Sequence, residues 1–119
     1  MKVNKIGVTD SKEGSDGRKN LSEKITIRNA QSSDVSLILN FVKELANYEH
    51  LVHEVVATEE VLERALFGSE AVAEAVIACY EDNPVGCAVY FHNLSTFLGR
   101  PGIYLEDLYV QPDFRGKGI

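Results

Sequence analysis

The sequence has no tryptophan, one methionine, two cysteines and three prolines in 119 residues. With aromatics at only 8%, it lacks the stacking platform that single-stranded nucleic acid requires. Two cysteines are too few for a disulfide scaffold, and no apolar run approaches the ~18 residues of a membrane span. Met1-Lys-Val-Asn-Lys5 carries no secretion-signal pattern. Metal ligation is equally poorly served. His50 and His53 stand three apart beside Glu54, His92 falls on a different element, and no third ligand is in step. The expectation is a cytoplasmic protein that needs no metal and binds neither nucleic acid nor membrane.

An apolar fraction of 45% with 25% charged residues is ordinary for one soluble domain with a single modest core. The net charge of −6 divides unevenly, +2 over residues 1–24 and −8 over residues 25–119. A folded part of that sign repels polyanions and attracts cationic ligands such as polyamines. Residues 1–24 are polar, rich in Gly, Ser, Lys and Asp, and without periodicity, which predicts a flexible extension ahead of a domain over 25–119.

Ile25-Thr-Ile-Arg-Asn29 alternates as a first strand, with Ile25 and Ile27 expected to face the core. Ser32 or Ser33 offers a helix cap, with Asp34 in the first turn. Val35, Ile38, Leu39, Val42, Leu45 and Ala46 then form one helical face as far as about Tyr48. Residues 47–53 break the pattern and read as a loop. Thr58 caps a second helix that presents Val61, Leu62, Ala65 and Leu66 and stops at Gly68. Two apolar runs, about Glu74–Tyr80 and Val85–Phe91, predict a hairpin turning on Glu81-Asp-Asn-Pro84. Pairing Tyr80 with Val85 would set Ala78 against Cys87 and turn Cys79 to the other face, so no disulfide is expected. Residues 92–102 read as a loop, and Ile103–Val110 as the last strand. The order of elements gives an α/β class in which antiparallel neighbours carry helices on the sheet.

That last strand runs into Gln111-Pro-Asp-Phe-Arg-Gly-Lys-Gly-Ile119. Gly116 and Gly118 let backbone N–H groups converge on an anion, and Arg115 and Lys117 add positive charge beside them. Period two sets Glu106 with Leu108 on one face and Asp107 with Tyr109 on the other, so only one carboxylate reaches a given face unless a bulge intervenes.

Tyr104-Leu-Glu-Asp-Leu-Tyr-Val110 followed by Arg115-Gly-Lys-Gly-Ile119 resembles the acetyl-CoA motif Arg/Gln-x-x-Gly-x-Gly/Ala of the GNAT superfamily of N-acyltransferases. Ile27-Arg-Asn-Ala30, Lys43-Glu-Leu-Ala-Asn-Tyr-Glu49 and Tyr104-Leu-Glu-Asp107 resemble its spermidine/spermine branch, which includes thialysine acetyltransferases. The resemblance covers roughly Ile25 to Ile119. It implies a mixed, mostly antiparallel GNAT sheet interrupted at the pyrophosphate loop, with the family's C-terminal portion and leaving-group tyrosine beyond Ile119.

By the same resemblance, acetyl-CoA is the co-substrate and a small amine the acceptor, with direct transfer, no acyl-enzyme and a possible homodimer. Glu106 would assist deprotonation, and Tyr48, Glu49, Glu106 and Asp107 would line the amine pocket. The backbone of Leu108, Tyr109 and Val110 would hold the pantetheine arm, with the Val110 N–H as oxyanion donor. Arg115, Gly116, Lys117, Gly118 and Ile119 would hold the pyrophosphate. Cys79 and Cys87 are expected to be dispensable. The competing expectation is an inactive fragment or interaction module whose open sheet edge pairs with a partner.

Overall fold

The computed structural model describes residues 24–119, so the extension expected over 1–24 lies, apart from Lys24, outside the described residues. Four strands form one antiparallel sheet in the order β1-β2-β3-β4: β1 Ile25–Asn29, β2 Glu74–Tyr80, β3 Asn83–Ser95 and β4 Arg100–Val110. Two helices, α1 Val35–Tyr48 and α2 Glu59–Phe67, fall between β1 and β2. The α/β class is as expected, and every strand pairing among the described residues is antiparallel.

α1 is entered through a 3-10 turn, Ser32–Asp34. The capping carboxylate is Asp34 rather than a serine: it accepts from the Gln31 N–H at 2.7 Å and from both terminal nitrogens of Arg28 at 2.7 and 2.9 Å. The expected stripe holds for Val35, Ile38 and Leu39, and Phe41, outside it, is also buried. Phe41 packs on Tyr109 of β4, ring centroids 5.8 Å apart, which fixes α1 over the strand that carries the site. Further along, Val42, Leu45 and Ala46 are only half-buried, because the helix there walls a cleft.

α2 begins where Thr58 accepts from the Val61 N–H at 3.2 Å, and Gly68 ends it by donating to the Arg64 carbonyl. A side chain at Gly68 would bring its Cβ to 2.7 Å from that carbonyl, so the glycine is needed for close approach. The core joins Ile38, Phe41 and Leu66 to Ala75, Ile77, Cys79, Cys87 and Tyr109. Each large side chain buried there contributes about 1.5–3 kcal/mol.

Three expectations are corrected. Ile25 and Ile27 do not face that core: they pair with Tyr80 and Ala78, whereas Arg28 and Thr26 stand opposite the core residues Ile77 and Cys79. Ile27 is accordingly 56% exposed. The β2–β3 turn uses two residues, Glu81 and Asp82, both at positive φ, and Pro84 lies within β3. Asn83 therefore opposes Tyr80, Ile77 opposes Cys87, and a bulge follows at Ala78/Cys79. Cys79 and Cys87 thus share one core instead of lying on opposite faces, and both are free thiols. Finally, residues 92–102 are not a loop. His92 to Ser95 pair with Ile103 to Arg100, which extends β3 and β4 into a long hairpin.

Candidate active site

Between Val89 and Tyr90 the β3–β4 register shifts by one: Tyr90 opposes Leu105 and Val89 opposes Asp107. Glu106 is the extra residue of a β-bulge. Val89 packs against the helix-side core, so the bulge turns Glu106 and Asp107 to that side together. Both carboxylates line a cleft of about 700 Å³ between β4, the end of α1 and the connector after it. Regular alternation would have admitted one of them.

Glu49, the residue after α1, and Glu54, on the 3-10 turn Val52–Glu54, bring the cleft's carboxylates to four. Leu45 of α1 with Leu51 and Val55 of the connector supply apolar wall. Burial, and then the charges of Glu106 and Glu49, hold Asp107's carboxyl above the usual carboxylate range. A half-buried acid among acids has its charge poorly compensated by its surroundings, and a cationic ligand would supply the compensation.

Among the described residues β4 is an edge strand of the sheet, with β1 at the other edge. The Gln111 N–H donates to the Val85 carbonyl at 2.8 Å, and the Tyr109 carbonyl presses on Gly86. Alternation therefore turns the backbone groups of Leu108 and Val110 to the open edge and those of Tyr109 towards β3. The Tyr109 side chain belongs to the core: its ring is buried against Phe41, and its hydroxyl proton is held more tightly by burial and by Glu44. Burial, helped by Asp107, pushes the Cys87 thiol up to about 12, which leaves it neutral and a poor nucleophile.

After the 3-10 turn Pro112–Phe114, the chain reaches Arg115 and two glycines in the left-handed region, Gly116 at φ 77° and Gly118 at φ 84°. Nothing stands within 4 Å of where a Cβ would lie on Gly116. An open, glycine-rich turn with Arg115 and Lys117 fits a phosphate group. Tyr48, exposed at the end of α1, carries the Arg115 guanidinium over its ring at 4.8 Å.

The structure thus brings Glu49, Glu106 and Asp107 to one cleft, with Tyr48 and Arg115 stacked on each other. Sequence reasoning missed Glu54 and the connector wall. The available signal was composition: Leu51, inside the segment 47–53 read as a loop, and Val55 and Ala57 just after it are apolar and line the cleft.

The site combines a bulged strand with an open edge, an acidic cleft on one face and a glycine-rich turn at its end. The sequence profile of the Acetyltransferase (GNAT) family matches residues 39–119, and the chain belongs to that family. Its relatives include the thialysine N-epsilon-acetyltransferase of Bos taurus, 38% identical over 103 residues, covering 80% of this chain and 60% of that protein. The Mus musculus protein of the same name is 41% identical over 101 residues, covering 78% and 59%. A spermidine/spermine N(1)-acetyltransferase-like protein of Homo sapiens is 33% identical over 100 residues, covering 78% of this chain and 14% of that protein.

The chain therefore spans about three fifths of the length of the thialysine acetyltransferases it matches. Among solved structures, a possible acetyltransferase from Clostridium difficile 630 superposes with a TM-score of 0.61 at 24% identity, covering 79% of this chain and 62% of that one. An aminoglycoside acetyltransferase from an uncultured soil metagenomic sample gives 0.66 at 15%, covering 84% and 64%. At such identities these two establish the fold alone.

Proposed function

We propose that this protein transfers an acetyl group from acetyl-CoA to a primary amine of a small diamine or polyamine. The observation that carries the reading is the bulge at Glu106, which sets two carboxylates into a cleft already lined by Glu49 and Glu54. A substrate with several ammonium groups balances that charge. The thialysine acetyltransferase relatives keep a diamino acid among the alternatives.

Acetyl-CoA, when bound, would supply the acetyl group as a thioester, its C–S bond breaking as the amide C–N bond forms and CoA leaving as the thiol. Arg115 to Ile119 would hold its pyrophosphate and the open-edge groups of Leu108 its pantetheine arm, the Val110 carbonyl being taken by the Arg115 Nε–H. The Val110 N–H would donate to the oxyanion that develops as the amine adds. An amine arrives protonated and must lose a proton before it can attack. Glu106, exposed on the bulge, takes that proton directly or through one water. Asp107 and Glu49 hold a second ammonium group, and neutral Cys87 takes no part.

Self-association is a subsidiary proposal. It is supported by the β3–β4 hairpin tip, where Leu94, Phe97 and Leu98 are 66%, 99% and 71% exposed.

The test is steady-state acetylation of 1,4-diaminobutane, by this chain and by the chain extended to the full length of its relatives, each with Glu106→Gln. In whichever form is active, the substitution should lower kcat/KM about 100-fold. An unchanged rate across pH would remove Glu106 from the reaction. Failure of both forms to bind acetyl-CoA would overturn the reading as a whole, and the interaction-module alternative would then stand, tested by size-exclusion chromatography.

A further inference from the structure

Arg115 sits on the phosphate-type turn, yet its side chain is directed back across the site. Its Nε–H donates to the Val110 carbonyl at 2.6 Å, on the open edge of β4. Its guanidinium lies 5.4 Å from the ring centre of Tyr109 and 4.8 Å from that of Tyr48. Tyr109 is buried and fixed by Phe41, whereas Tyr48 is 65% exposed at the end of α1.

Tyr48 ends a helix, and His50, two residues on, turns the chain at φ 61°, in the left-handed region. Glu49, between them, is one of the cleft's carboxylates. The guanidinium therefore bridges a rigid part of the sheet and the helix end that presents the amine wall. Arginine suits this because its planar group can stack on a ring while its Nε–H is spent on a carbonyl, and lysine offers no such plane.

We infer that Arg115 is a positioning residue for the amine wall, holding Tyr48, and with it Glu49, against the end of β4. This rests on the acetyltransferase reading above and adds to the phosphate role expected of the same side chain. The contact works without a cofactor: the stack on Tyr48 orders the α1 end before any phosphate arrives, so its loss weakens binding of the amine itself.

The experiment is a double-mutant cycle of Arg115→Lys and Tyr48→Leu, read by calorimetric titration of 1,4-diaminobutane with no acetyl-CoA present. Arg115 then has no phosphate to act on. Arg115→Lys should weaken the diamine about threefold when Tyr48 is intact and leave affinity nearly unchanged in the Tyr48→Leu background. The Arg115 side-chain N–H resonance should also lose the Tyr48 part of its ring-current shift in Tyr48→Leu, the Tyr109 part remaining. Equal weakening in both backgrounds, or no loss of the ring-current shift, would overturn the inference while leaving the acetyltransferase reading intact. Failure of the wild-type chain to bind any diamine would instead overturn that reading, and the inference with it.

Discussion

Asp34 and Asp107 are the same residue placed in two partly desolvated settings, and their carboxyl groups respond in opposite directions. Asp34, at the β1–α1 junction, is held below the usual carboxylate range by the hydrogen bonds of Arg28, which outweigh burial, with the Gln31 N–H assisting. Arg28 is in turn held above its ordinary value. Asp107, on the bulge of β4, is held above the usual range by burial first and then by Glu106 and Glu49. The first carboxylate is satisfied by the fold and serves it. The second is held by the fold at a cost to stability, and unfavourable charges of that kind gather where a ligand is to be met.

Replacing each residue should separate the two cases, and the larger effect belongs to Asp34. Asp34→Ala removes a cap and breaks an ion pair whose arginine is 42% exposed, so about 2 kcal/mol of stability should be lost at neutral pH, as read by urea denaturation. Because Asp34 is depressed in the folded state, its contribution is present above the unfolded value near pH 4 and fades as pH falls through the folded one. The gap between variant and wild type should therefore close in acid. A gap of the same size in strong acid would mean that shape, not charge, makes this junction.

Asp107→Asn should do the reverse. A raised folded-state pKa contributes stability that is complete below the unfolded value and lost as pH rises through the folded one. At neutral pH the substitution removes a charge the fold resists, so the melting temperature should rise, with the advantage disappearing below about pH 4. The affinity for a diamine should meanwhile fall about tenfold, as expected when a partly buried charge partner is removed. A variant that melted lower at neutral pH would collapse the distinction between the two aspartates.

How much of this was legible beforehand follows from which forces act locally. The Thr58 cap, the Gly68 stop and the α1 stripe through Val35, Ile38 and Leu39 depend on residues within a turn or two of each other, and the sequence carries them. The Tyr-Leu-Glu-Asp and Arg-Gly-Lys-Gly segments likewise announced the family. Strand facing was harder, because Ile27 reads as inward by hydrophobicity but is set outward by its pairing with Ala78. The Glu81-Asp82 turn misled for a related reason: two non-glycine residues at positive φ made it shorter than composition suggests, and the register moved with it. The bulge was foreseeable only as an exception to alternation. What fixes it is the pairing of the whole β3–β4 hairpin, much of which read as loop.

The smallest effect tests the bulge itself. Deleting Glu106 would place Leu105, which opposes Tyr90, directly before Asp107, which opposes Val89, and so restore unbroken alternation. Nothing else in the hairpin need shift, so stability should change by less than about 1 kcal/mol, the bulge being a local feature of the ladder. The carboxyl of Asp107 should move only part of the way back towards its ordinary value, because Glu106 is the second cause of its shift and burial, the first, remains. A carboxyl-carbon NMR titration of the deletion variant reads this directly. If Asp107 returned fully to the ordinary range, charge repulsion rather than burial would be what separates it from Asp34. If it did not move at all, Glu106 would not share the cleft, and the two-carboxylate site would be lost with it.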